Sequence, residues 1–166
     1  MNIDSPDFKH LYGIEYFSFE DDFVEKNIRC IPMIVRFKMD HAGIKLKLVE
    51  WSKFSIEERL ELAKRPCSSE EQVKSYNEYL AGLVKKYTGK EATVLAIERN
   101  PGWANTNEVP VMLNEKLKEF DWLILADQWK GLTNLQRFAL VKLCKEGHEN
   151  VNFPKAMKEF KLVGEM

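Results

Sequence analysis

Five short stretches of this chain carry residues able to do chemistry. After Gly147 come His148, Glu149 and Asn150, a run rich in donors and acceptors. Bordering a small polar site, they would hold an anion or a small ligand. The plainer reading is that Gly147 closes one helix and Asn150 or Asn152 caps the next, the usual work of polar residues between helices. Asp40-His41 is a second acid–imidazole pair that would have to meet His148-Glu149 in space to bind a metal. No His-x-x-x-His or Cys-x-x-Cys spacing obliges it, so no metal and no cofactor is assigned. Glu20-Asp21-Asp22 places three carboxylates together, and the field at a helix start explains them without an acid–base pair. Last, Trp51, Ser55, Glu58 and Arg59 stand in the same order and spacing as Trp129, Thr133, Gln136 and Arg137. An indole beside a guanidinium can bind a ligand or simply fill a core. Buried aromatics are more often core. No phosphate-cradling Gly-rich loop and no G-x-S-x-G elbow occurs. No catalytic residue is assigned, and the chain reads as a non-enzyme.

The elements that must position these residues follow from the repeat. The two tryptophans are 78 residues apart, and the same offset lays Pro32 on Pro110, Val35 on Leu113, Met39 on Leu117, Leu46 on Ile124 and Leu62 on Leu140. Such internal similarity marks a duplication, here over about 31–66 and 109–144. Each copy parses as three helices. Proline opens the first, where its missing N–H costs nothing. That helix runs to about Ala42 or Phe120, closed by Gly43 in one copy and Asp121 in the other. A short helix carries the tryptophan. Ser55-x-x-Glu58 and Thr133-x-x-Gln136 are capping boxes that start the third. Arginine one turn later is placed to lie over the indole or to bind a helix C-terminus.

Ser68-x-x-Glu71 reads as a further capping box for an amphipathic helix over about 69–87, with Val73, Tyr76, Leu80, Leu83, Val84 and Tyr87 on one face and Gly89 as its stop. A last helix begins near Asn152, with Phe153, Ala156, Met157 and Phe160 on one face, so the repeat reaches toward a fourth helix. "TVLAI" from Thr93 reads as a short extended piece. Residues 1–20 form an aromatic arm, read as extended from the alternation of Tyr12, Ile14 and Tyr16. The expected fold is all-α: a single domain, 1–166, of two duplicated three- or four-helix units about a pseudo-twofold axis.

Composition narrows the function. The 166 residues carry 25 basic and 26 acidic side chains, a net charge of −1, which removes the electrostatic footprint of a nucleic-acid binder. A helix-turn-helix DNA binder is the weakest alternative on the same ground: "IEERLELAK" and "NLQRFALVK" offer acids and apolar groups where base-reading and phosphate-binding groups belong. Nothing approaches the roughly 20 apolar residues of a membrane span. "MNIDSPDFKH" lacks the pattern of a secretory signal. The three widely spaced cysteines, Cys30, Cys67 and Cys144, read as reduced thiols in a cytoplasmic protein. A homodimer is compatible with an aromatic arm that covers a partner.

"FSFEDDF", "RCIPM", "GIKLKLVEW", "LQRFALVKL" and "GHENVNF", in that order, resemble the nitrate reductase-associated protein family, known mostly from cyanobacteria. The resemblance runs from about Tyr16 to Leu162. It implies a setting in nitrate or molybdenum-enzyme metabolism, and a partner protein drawn from it. It brings no catalytic residues with it. The function expected is that of a non-catalytic helical accessory protein. A small ligand-binding protein or enzyme built around His148–Asn150 is the alternative.

Overall fold

In the computed structural model, residues 8–25, 30–145 and 151–164 are described. They are mostly helical, with one antiparallel pair of two-residue strands. The chain divides into two compact units, Met1–Ile97 and Glu98–Met166. The His148–Asn150 run lies outside the described residues.

The first unit holds α1 (Met33–Ala42), β1 (Ile44–Lys45), α2 (Leu48–Lys53), α3 (Ile56–Lys64), α4 (Glu70–Thr88) and β2 (Thr93–Val94). Pro32 is the N-cap of α1, and Gly43 ends the helix at φ 74°, its N–H donating to Met39 O. That left-handed turn suits glycine, and there is a second reason for the residue: a Cβ would stand 3.2 Å from the Ile97 side chain. The stripe on α4 buries Tyr76, Leu80, Leu83 and Val84 against α1 and α2. Each such side chain contributes about 1.5–3 kcal/mol. The core gathers around Trp51, Val35, Leu62 and Leu80, all fully buried.

Two expectations need correction here. Residues 8–20 are not an extended arm. Phe8–His10 and Ser18–Glu20 are 3-10 turns, and Phe8 is buried with its ring stacked 6.4 Å from Trp51. Turning inward buries aromatic faces that a strand would leave half in water. Second, the cap of α4 is Ser69, not Ser68: Ser69 Oγ accepts from Gln72 N–H. Gln72 Oε1 takes both the Ser69 and the Ser68 N–H groups, so the box shifts by one residue. β1 was also unforeseen. It pairs Ile44 with Val94 and Lys45 with Thr93.

The second unit holds α5 (Val111–Lys118), α6 (Ala126–Gly131), α7 (Asn134–Lys145) and α8 (Asn152–Glu159), preceded by a 3-10 turn at Gly102–Ala104. α7 packs on α5, on α8 and on that turn. α5 stops earlier than the expected Phe120. Asp121 takes the left-handed turn at φ 56°, and the Trp122 and Asp121 N–H groups close back on Leu117 O and Lys118 O, a Schellman ending. α8 buries Phe153, Ala156 and Met157, with Phe160 buried just beyond its end. Val111, Ala126 and Asn134 open α5, α6 and α7, each 78 residues after Met33, Leu48 and Ile56 open α1, α2 and α3.

Candidate functional site

The tryptophan–arginine motif is built from the helix junction upward. α2 and α6 are six-residue helices with few internal hydrogen bonds, so their ends depend on side chains. Glu50 Oε1 takes the Lys47 N–H at 2.8 Å, and Gln128 Oε1 takes the Leu125 N–H at 2.8 Å. Ser55 and Glu58 exchange hydrogen bonds across the start of α3, and Thr133 and Gln136 do the same at α7. Trp51 and Trp129 are wholly buried between these elements.

Arg59 and Arg137 are buried with them, only 7% and 4% exposed. The Arg59 guanidinium lies 5.5 Å from the Trp51 ring centroid and donates to Trp51 O at 3.2 Å and Ser52 O at 2.9 Å. Arg137 lies 6.0 Å from Trp129 and donates to Trp129 O, Leu132 O, Trp103 O and Asn134 Oδ1. Burial lowers both guanidinium pKa values, yet arginine stays charged. Among the described residues no carboxylate pairs with either one. Their charge is met by carbonyls at the negative ends of α2 and α6. The donor bonds of both guanidiniums described above are spent inside the fold.

Other buried charges do similar work. Glu20 is fully buried; its carboxylate accepts from Met33 N–H at 2.7 Å and Phe17 N–H at 3.2 Å. It closes α1 from a distance, so the Glu20–Asp22 cluster is capping charge at this residue. Lys38 Nζ reaches Ala63 O and Arg65 O, both at 2.7 Å, at the end of α3. Burial lowers its pKa to about 8, while Cys67 and Glu61 push it back up. Tyr76 Oη donates to Leu62 O, and Asn77 Nδ2 to Ala42 O. Sequence reasoning missed these long-range caps. The one available signal was Lys38 itself, an ammonium between the buried positions Val35 and Met39 of α1.

His41 Nδ1 is 2.8 Å from Phe37 O, and its ring meets Phe37 edge-on. Among the described residues no three His, Cys, Asp or Glu side chains gather as a metal site. Cys67 and Cys144 are free thiols whose pKa values burial raises to about 11, so both are poor nucleophiles at neutral pH. The hollows are shallow. One of about 480 Å³ lies between α1 and α4, edged by Ser68, Lys74 and Asn77. Another, about 470 Å³, lies at the start of α5, edged by Asn100, Asn105, Glu108 and Val111.

No helix among the described residues is long and apolar enough to cross a membrane. The family model of conserved nitrate reductase-associated proteins matches residues 16–160. The chain belongs to that family. No curated protein and no solved structure matches it. The matched span takes in both tryptophan–arginine motifs, Glu20, and the whole of α1 through α8.

Proposed function

We propose that this nitrate reductase-associated protein is a non-catalytic helical accessory protein, acting in the cytoplasm through contacts with a protein of nitrate assimilation or molybdenum-cofactor metabolism. Family membership over residues 16–160 carries the reading. The structural support is that the most promising side chains are already occupied. Arg59, Arg137 and Glu20 are bound to backbone groups and hold helices in place. Affinity pull-down of the tagged chain from its native host tests the reading. Nitrate-reducing or cofactor-synthesis proteins should be enriched over a mock purification. Their absence, together with a rise in melting temperature when nitrate or molybdate is added, would replace it with a small-ligand function.

The two units also support an origin by internal duplication, over about 31–66 and 109–144. Helix starts, caps, tryptophans and arginines recur at one offset. A repeated structural cassette that consumes its own polar groups suits a scaffold better than a reaction centre.

A further inference from the structure

Gly43 and Asp121 turn the chain out of α1 and α5 in the same left-handed way, at φ 74° and 56°. Each leads into a four-residue run before the next short helix. In the first unit that run is Ile44-Lys45-Leu46-Lys47. Ile44 and Leu46 are buried, while Lys45 and Lys47 are exposed. Ile44-Lys45 is β1, paired antiparallel with β2. In the second unit the run is Trp122-Leu123-Ile124-Leu125. Ile124 is buried, as Leu46 is. Leucines stand where the first unit has lysines, and Leu123 and Leu125 are 67% and 57% exposed. The backbone is open as well. Among the described residues, neither Leu123 nor Ile124 makes a backbone hydrogen bond, and no strand pairs with this run.

We propose that Trp122–Leu125 is an open strand edge that docks an antiparallel extended segment of a partner protein, apolar in its middle and flanked by lysine or arginine. Extended runs apolar on both faces belong where both faces are covered, and an open edge of this kind is a template for a further strand. β2 shows the form of the cover. Leu95 N–H donates to Gly43 O at 2.8 Å, and Lys45 stands opposite Thr93. Antiparallel bonds recur at every second residue, so the donor at the equivalent place in the second unit is the Leu123 N–H. Charge selects the flanks. Between Lys118 and Lys130 the chain carries Glu119, Asp121 and Asp127 and no basic residue. Lys116 pairs with Glu119 at 3.0 Å, which leaves Asp121 and Asp127, both exposed, one on either side of the run. The same acids weigh against a second copy of this chain. Antiparallel self-pairing about Ile124 brings Asp121 of one copy toward Asp127 of the other, and like charges facing each other repel. This edge deepens the accessory reading by giving it a contact surface.

Calorimetry and NMR on the purified full chain test the edge, with the synthetic peptide Lys-Thr-Val-Leu-Ala-Ile-Lys as probe. The peptide is the run from Thr93 to Ile97 set between two lysines. At a peptide concentration of about ten times Kd, the Leu123 amide should exchange about tenfold more slowly, by mass action, and the Ile124 amide should be unchanged. Glutamate in place of both peptide lysines should weaken binding about tenfold. Leu123→Lys with Leu125→Lys restores the lysine pattern of β1 at exposed positions. It should weaken binding of the original peptide at least about tenfold, since one buried leucine side chain is worth more than a decade of affinity. Val94→Lys, at an exposed position of β2, should leave binding unchanged. Absence of slowing at Leu123 overturns the proposal, as does equal affinity in wild type and the double-lysine variant. A loss caused by Val94→Lys instead overturns it in favour of β2. A wild-type dimer in sedimentation that the double substitution dissolves overturns it in favour of a second copy. Only purified chain and peptide are used, so failure here leaves the pull-down from the host standing.

Discussion

Trp51 and Trp129 occupy the same local motif and are enclosed by different things. Around Trp51 the neighbours are aromatic: Phe8 stacks on it at 6.4 Å and Phe54 meets it edge-on at 6.2 Å. Trp129 is held by a polar bond, Nε1–H to Asn105 O at 2.7 Å. The arginines differ in step. Arg59 binds two carbonyls of the short helix before its own, α2, whereas Arg137 also ties down the 3-10 turn through Trp103 O. The short-range part of the motif is therefore the constant, and the long-range lid is what varies. Two helix junctions of the same local build are thus completed by different covers.

The sharpest way to break this comparison is to remove the indoles. Trp51→Ala and Trp129→Ala should each cost about 3–5 kcal/mol, as large aromatic truncations in cores do. Urea unfolding of each variant measures it. A loss under about 1 kcal/mol at either site would mean that site is not a core, and the equivalence would fail.

The arginines come next and should separate the copies. Arg59→Ala leaves two carbonyls without their donor, a cost of about 1–3 kcal/mol. Arg137→Ala abandons more acceptors, including one on the turn, and should cost more. Lysine replaces a fork with a single point donor, so Arg137→Lys should recover a smaller share of stability than Arg59→Lys. Equal losses in the two copies would show that the bond to Trp103 O contributes nothing. Hydrogen exchange of the Gly102–Ala104 amides should rise in Arg137→Lys alone.

The constant part is also the part legible in the sequence. Pro32 and Pro110, the boxes at Ser55 and Thr133, and the Trp-to-Arg spacing are contacts within one or two helical turns, so they leave a local pattern. What stayed hidden acts over distance. Nothing near Glu20 announces that its carboxylate meets Met33 N–H, and nothing near Lys38 points to the end of α3. β1 is two residues long, too short for any alternation to show, and its partner lies beyond α4. Phe8 and Phe19 were legible as apolar but not as buried, since an alternating run suits a strand and a folded-in turn alike. The His148–Asn150 run, the stretch richest in chemistry to the eye, lies outside the described residues.

The smallest effect separates the two caps by their charge. Glu58 and Gln136 do the same job at the starts of α3 and α7, but only Glu58 titrates. Burial alone would raise its pKa. Hydrogen bonds from Tyr87 Oη at 2.6 Å, from the Ser55 N–H and from Lys86 Nζ outweigh that and bring it down to about 2. An unfolded glutamate titrates near 4.3. A folded-state value below the unfolded one means stability that is fully present above about pH 4.3 and is lost as the pH falls toward about 2. Glu58→Gln makes the first cap match the second. It keeps an acceptor for the Ser55 N–H and Tyr87 and gives up the ion pair with Lys86, so its cost at pH 7 should stay within about 1 kcal/mol, the range of solvent-screened pairs. The informative reading is the difference between wild type and variant at two pH values. Wild type should lead at pH 7, and the lead should shrink through the range from about pH 4.3 down and be gone only below about pH 2, where the folded Glu58 is protonated and resembles the amide that replaced it. A lead of constant size from pH 7 to pH 2.5 would mean that the carboxylate charge contributes nothing at this cap, and that the two copies are equivalent there after all.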